Sequence, residues 1–204
     1  MIRTVRQPFK IVDDFFECPD LWRYHALKQE YTTDEQATWP GVRSTVLDQI
    51  NETLFHSLAS KIIVHCPGKR YFHYLKINYA LVDESYNLGW CHVDEPKYNV
   101  AGVIFLNPDP PKNSGTIFYK KTKEMMIDFN QLFFNELKAA PEDRKDFYKH
   151  KLEQRSHFKK SMTVENVYNR CVIFPPDEWH SADSYFGNDK DSARLTINFF
   201  GFAA

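Results

Sequence analysis

The residues best suited to do chemistry in this chain are two histidines, an aspartate and an arginine. His92 and Asp94 lie in Gly89-Trp90-Cys91-His92-Val93-Asp94-Glu95-Pro96, and His180 closes Phe174-Pro175-Pro176-Asp177-Glu178-Trp179-His180. Two imidazoles and one carboxylate form a ligand set that holds non-haem Fe(II) and leaves coordination positions open. The same side chains also suit zinc, with a metal-bound water as nucleophile. On an extended strand residues i and i+2 point to one side, so His92 and Asp94 can face a single ion while Glu95 points away. H-x-D is a common pattern by itself. Its weight comes from His180, which follows the short apolar run Cys171-Val172-Ile173-Phe174, and from Arg194-Leu195-Thr196-Ile197-Asn198-Phe199. There Arg194, Thr196 and Asn198 share one face and Leu195, Ile197 and Phe199 the other. A planar guanidinium on such a face can meet a carboxylate with two parallel hydrogen bonds.

Strands must position these groups. Tyr71 to Val82, Val100 to Leu106, Thr116 to Tyr119, Arg170 to Phe174 and Arg194 to Phe202 read as strands separated by turn signals, which suggests a sandwich or barrel. On the first of these, Leu75, Ile77 and Tyr79 share one face and Lys76 and Asn78 the other. Before them, Pro19 to about Lys28 reads as a helix. A second helix is expected from an N-cap at Ser44, with Val46, Leu47, Ile50, Leu54, Phe55 and Leu58 on its buried face. Between the strands, Glu124 to Lys138 carries Met126, Phe129, Phe133 and Leu137 at helical spacing, and Pro141 opens another helical stretch to about Gln154. The expectation is therefore one domain over 1–204. Residues 1–65 form a helical support, and 70–202 a β core with a helical insertion at about 123–159 that acts as a lid or as a buttress.

Composition narrows the function. A length of 204 residues suits one compact domain, and a formal net charge of −1 gives no strong nucleic-acid signal, because phosphate contacts need a basic face. Aromatic residues make up 16% of the chain, which suits a Phe-rich core between sheets. No apolar run approaches a membrane span, and the start of the chain lacks an apolar signal region. Cys18, Cys66, Cys91 and Cys171 form no C-x-x-C pair, so a reduced, cytoplasmic protein is expected. His25, His56, His65, His73, His150 and His157 have no partner at ligand spacing and read as surface or packing residues. Trp90 and Trp179 flank the candidate ligands, either as walls of a site or as packing.

The order of these pieces resembles the 2-oxoglutarate and Fe(II)-dependent dioxygenases. The resemblance is to their prolyl-hydroxylase-like branch, and it runs from Tyr71 to Phe202. Ser114-Gly115-Thr116-Ile117-Phe118-Tyr119 resembles that branch's Gly-Gly strand. Ile11-Val12-Asp13-Asp14-Phe15-Phe16 and Trp39-Pro40-Gly41-Val42-Arg43 look like stretches of its uncharacterised phage and bacterial members. The resemblance implies a mainly β fold with flanking helices, the double-stranded β-helix (jelly roll, cupin-like). It implies Fe(II) on His92, Asp94 and His180, the distal carboxylate of 2-oxoglutarate on Arg194, and Tyr79 as a cosubstrate contact. Phe105 stands where a tyrosine hydroxyl often assists, so Thr196 or Asn198 is expected to supply that hydrogen bond. Arg194 lies 14 positions after His180, and the polar stretch Gly187-Asn188-Asp189-Lys190-Asp191 between them reads as a longer hairpin.

The implied activity is O2-dependent hydroxylation of a C–H bond, with release of succinate and CO2, on a small-molecule or peptidyl substrate such as an amino-acid side chain. Retention of Asp94 favours hydroxylation over halogenation, because related halogenases put a small residue there. Two rivals stay open at this point, a zinc hydrolase on a cupin-like barrel and a non-catalytic cupin-like binding protein.

Overall fold

The computed structural model describes residues 6–33, 38–122 and 128–204. The chain runs through strand β1 (Lys10–Val12), helix α1 (Pro19–Leu27), strand β2 (Val42–Arg43), helices α2 (Leu47–Ile50) and α3 (Glu52–Ile63), and the long strand β3 (Phe72–Val82). Strands β4 (Val100–Phe105) and β5 (Thr116–Lys121) follow. Next come α4 (Phe129–Lys138), a 3-10 segment (Pro141–Phe147), α5 (Tyr148–Arg155) and the strands β6 (Phe158–Val164), β7 (Cys171–Phe174), β8 (Trp179–Ala182) and β9 (Arg194–Ala203). A six-stranded antiparallel sheet has the order β1-β7-β4-β9-β3-β2, and a three-stranded one the order β6-β5-β8. The two face each other as a jelly roll.

Strand alternation divides the apolar residues into three layers. Leu75, Ile77, Leu81, Ile104, Ile173, Leu195, Ile197 and Phe199 point outward from the large sheet and pack under the N-terminal helices, against Leu47, Leu58 and Ile62. Ala101, Val103, Phe105, Phe118, Val172 and Phe174 fill the space between the sheets. Cys91, Ile117, Tyr119 and Phe158 lie behind the small sheet, with Trp179 packed on them. Gly102 is needed for the first layer, since a Cβ there would sit 2.1 Å from the Phe199 ring.

The N-terminal part is more than a helical support, because its β1 and β2 form both edges of the large sheet. The helix expected from Ser44 is two helices. Ser44 accepts from the Tyr79 amide (3.1 Å) and donates to Thr45, and helix begins only at Leu47. An extended residue, Asn51, then breaks the run, and its side chain caps α3 by accepting from Leu54 N at 3.0 Å. Of the helix expected over Glu124 to Lys138, the stretch before Asp128, including Met126, lies outside the described residues. Helix is present from Phe129. The expected stretch from Pro141 to Gln154 is 3-10 and then α-helix. The insertion ends where β6 begins at Phe158. Among the described residues no helix is long and apolar enough to cross a membrane.

Candidate metal centre and cavity

His180 sits on β8 opposite Phe118 of β5 and points between the sheets, where its ring packs on Phe174 with centroids 4.7 Å apart. His92 lies outside any named strand. It forms a two-bond antiparallel bridge with His180, each amide donating to the other's carbonyl at 2.9 Å. The strand expected over His92–Asp94 is thus a single bridge. Past it the register breaks at the Pro175-Pro176 turn, and Asp94 N donates to Pro176 O at 2.8 Å. The spacing argument still holds, because the backbone is pinned on both sides of Val93 and His92 and Asp94 converge.

The polar atoms of this trio are arranged as ligands. Each imidazole sets its Nδ1 against the carbonyl two residues back, His92 on Trp90 O and His180 on Glu178 O, both at 2.9 Å. Donation from Nδ1 fixes the tautomer and leaves Nε2 as a lone-pair donor. The two Nε2 atoms lie 3.8 Å from Asp94 Oδ1 and Oδ2 respectively. Asp94 Oδ2 is buried and has no hydrogen-bond partner. Burial pushes His180 down to about 4 against the pull of Asp94, so its ring is neutral at pH 7. Among the described residues this is the one cluster of His, Cys, Asp or Glu whose ligand atoms converge, all within 4.8 Å. Metal–ligand bonds of about 2.0–2.2 Å would span such gaps with one ion. The orphaned carboxylate oxygen and the two oriented Nε2 atoms fit a metal.

The trio opens into a cavity of about 500 Å³. Its floor is the inner face of the large sheet: Lys76, Asn78, Ala80 and Val82 of β3 and Arg194, Thr196 and Asn198 of β9. Register explains the set, since Val82 pairs with Arg194, Ala80 with Thr196 and Asn78 with Asn198. Paired residues project to the same side of a sheet. Arg194 is 6% exposed. Its Nε donates to Ser114 O at 3.2 Å, and its guanidinium lies 5.4 Å from the Phe105 ring and 5.8 Å from that of Tyr185. Among the described residues it has no carboxylate partner within salt-bridge range. Burial lowers its pKa, yet an arginine stays charged at neutral pH. A buried cation with no anion is costly unless something else supplies one. Thr196 Oγ1 donates to Asn198 Oδ1 at 3.0 Å.

Tyr79 is not at this site. The same register turns it to the outer face with Ile77 and Leu81, where its hydroxyl meets His25 Nδ1 at 2.8 Å. The polar face of β3, Lys76 and Asn78, is the one that faces the cavity. Trp179 also faces away and packs on Phe158, whereas Trp90 lines the cavity. Among the groups not anticipated from sequence are Arg43, Lys76 and Tyr185, all in the wall. Arg43 reaches this wall through the β2–β3 register, which sets it opposite Ala80 and which no sequence period signals.

The insertion forms the remaining wall, through Phe129, Asn130, Phe133 and Phe134 of α4, and it also grips the ligand-bearing segment. Gln154 completes the backbone bonds of Cys91, accepting from its amide (2.7 Å) and donating to its carbonyl (3.1 Å). The Arg155 guanidinium donates to Gly89 O (2.9 Å) and Ala182 O (2.6 Å), tying that segment to β8. Glu136 and Lys151 form a buried ion pair between α4 and α5, and Trp90 Nε1 donates to the other Glu136 oxygen at 2.6 Å. Burial raises the Glu136 carboxyl and lowers the Lys151 ammonium to about 8, and the opposite charge of each partner offsets part of the other's shift.

Solved structures share this architecture at low identity. HygX from Streptomyces hygroscopicus, solved with nickel, 2-oxoglutarate and hygromycin B bound, is 9% identical with a TM-score of 0.57, over 97% of this chain and 84% of that one. A 2OG-Fe(II) oxygenase family oxidoreductase from Burkholderia pseudomallei is 14% identical (TM-score 0.53), over 98% and 87%. A prolyl 4-hydroxylase from Phytophthora capsici is 13% identical (TM-score 0.54), over 98% of this chain and 60% of that one. The fold is thus that of the 2-oxoglutarate and Fe(II)-dependent oxygenases, as the sequence resemblance implied. The sequence matches no curated protein. A family model matches residues 1–201, and the chain belongs to that family, DUF6445, a family of unknown function.

Proposed function

We propose that this chain is an Fe(II)- and 2-oxoglutarate-dependent dioxygenase that hydroxylates a C–H bond of a small molecule or an amino-acid side chain. One observation carries the reading: a buried arginine with no acid partner among the described residues shares a cavity with a His-Asp-His trio whose carboxylate has an unpartnered oxygen. A zinc hydrolase would use the trio and leave Arg194 uncompensated.

In this reading His92, Asp94 and His180 hold the ion. Iron supplies the O2 chemistry, in which 2-oxoglutarate, O2 and a C–H bond give succinate, CO2 and an alcohol. Arg194 receives the distal carboxylate of 2-oxoglutarate with its planar fork. Thr196 and Asn198 stand beside it on the same face. Tyr185 presents a protonated phenol near the guanidinium, where burial keeps its pKa above the ordinary value. Phe118 and Phe174 pack on the His180 ring and shield that side of the trio from water, while His92 stays open to solvent. Asp94 keeps the carboxylate that a halide site would lack, which supports hydroxylation. HygX is solved with nickel and 2-oxoglutarate, which supports the choice of cosubstrate.

The test is anaerobic titration with Fe(II) and 2-oxoglutarate. A visible charge-transfer band is expected in the wild type, absent in His180→Ala and shifted to higher 2-oxoglutarate in Arg194→Ala. No band, together with no 2-oxoglutarate-dependent succinate, would overturn the assignment.

A further inference from the structure

The charge in the cavity is not exhausted by metal and cosubstrate. Among the described residues its lining carries the cations Arg43, Lys76, Arg194 and Lys151 and the acids Asp94, Glu95 and Glu136. Lys151 is paired with Glu136, and Glu95 with Lys97 at 2.7 Å. On the reading above, a divalent ion, Asp94, Arg194 and the 2-oxoglutarate dianion cancel one another. Arg43 and Lys76 remain, and neither has a carboxylate within salt-bridge range among the described residues.

Their placement is specific. Arg43 on β2 pairs with Ala80 of β3, and Ala80 with Thr196 of β9, so Arg43 shares the cavity face with the candidate cosubstrate groups. The small Ala80 leaves the floor open between them. Lys76 lies on the same face of β3, beyond Asn78. Both cations lie against Trp39, whose ring is 5.7 Å from the Arg43 guanidinium and 5.2 Å from Lys76 Nζ. Among the described residues the Arg43 guanidinium otherwise donates only to the backbone carbonyls of Pro40 (3.2 Å) and Val42 (3.3 Å). Two half-buried cations on one indole, facing into a cavity of small-molecule size, form an anion subsite. The aromatic face of α4, with Phe133 and Phe134, supplies an apolar wall to the same cavity.

We propose that the substrate is a small molecule bearing an anionic group, carboxylate or phosphate, which Arg43 and Lys76 hold together beside Trp39 while the rest of the molecule reaches the metal site. This rests on the oxygenase reading for the identity of the other occupants, but the anion subsite can be tested on its own.

The experiment is calorimetric titration of the protein, preloaded with Ni(II) and saturating 2-oxoglutarate, at ionic strength held constant with chloride. Sulfate probes for a phosphate-like group and benzoate for a carboxylate. Saturable millimolar binding of at least one is expected. It should weaken about tenfold or more in Arg43→Gln and in Lys76→Gln, and stay within about threefold in Arg43→Lys. A preference for sulfate or for benzoate tells the two chemistries apart. No saturable binding by the wild type, or equal binding by the folded Gln variants, would overturn the proposal. So would an Arg43→Gln variant that loses 2-oxoglutarate affinity as severely as Arg194→Ala, since Arg43 would then serve the cosubstrate. Succinate release stimulated by neutral peptides and by no small anion would also overturn it. If the wild type binds no 2-oxoglutarate at all, the oxygenase reading fails, and the anion titration of the Ni(II) protein still reports on the subsite.

Discussion

Replacing Lys151 by Met should destabilise the fold far more than a surface lysine would. The side chains of Lys151 and Glu136 are 1% and 0% exposed, so Lys151→Met strands a carboxylate in the interior and removes the donor to Tyr86 O, bonded at 2.6 Å. Breaking one side of such a pair costs about 3–5 kcal/mol. For a chain of this size each kcal/mol moves Tm by about 2–4 °C, so the melting point should drop by about 6–20 °C. The double variant Glu136→Leu/Lys151→Met removes both charges and should recover to within about 2 kcal/mol of wild type. Its residual cost comes from Trp90 Nε1, which loses its acceptor. The pH dependence follows from the direction of the Glu136 shift. Burial already raises its pKa, and removing Lys151 raises it further. A group whose folded pKa is raised contributes stability that is complete below its unfolded value and lost as pH rises through the folded value. The deficit of Lys151→Met relative to the double variant should therefore be small near pH 4.5 and grow towards pH 8. Urea denaturation followed by circular dichroism at both pH values measures it. A single variant within about 1 kcal/mol of wild type at pH 8, or a double variant no more stable than the single, would refute the reasoning.

Leu58 of α3 is fully buried against the large sheet, so Leu58→Ala should cost about 2–5 kcal/mol in the same urea assay. Gly102→Ala forces a methyl against the Phe199 ring and the Val172 carbonyl and should cost about 1–3 kcal/mol, and Phe199→Leu in the same background should return part of it. Tyr79→Phe should lose about 0.5–1.5 kcal/mol through the His25 hydrogen bond and leave 2-oxoglutarate affinity unchanged, whereas Tyr185→Phe should weaken that affinity measurably. Asp94→Asn should lower bound iron well below one equivalent by elemental analysis, with the circular dichroism spectrum retained.

The trio was legible because its signal is local. His92 and Asp94 lie within one extended step, and His180 follows a short apolar strand. Arg194 was legible because an alternating strand that puts arginine, threonine and asparagine on one face must face something polar. The same logic applied to β3 would have put Lys76 and Asn78 in the cavity. Tyr79 was assigned by analogy against that alternation, and the helices over Ile77 and Leu81 claim its face instead. Ser44 and Asn51 are both good cap residues, and the choice between them was made by the Tyr79 amide, which comes from a strand beyond local reach. Arg43, Tyr185 and the Glu136–Lys151 pair depend on strand register and helix docking across long separations, which side-chain periodicity does not encode.

The position of β9 has a consequence for how the molecule is made. This strand, residues 194–203, lies in the middle of the large sheet, between β4 and β3, and Ile197 pairs with both Ile104 and Tyr79. Until it emerges from the ribosome, β3 and β4 have no common neighbour, and each exposes an unpaired edge of apolar residues. The sheet therefore closes only once β9 is made, through contacts far apart in sequence, which makes folding slow compared with helical chains of similar length. Arg194 enters with that strand, so the cavity floor is completed in the same event as the core. A chain halted before β9 would keep the small sheet that carries His180 but lack the joined floor of the large one, and the open edges of β3 and β4 would make it prone to aggregate.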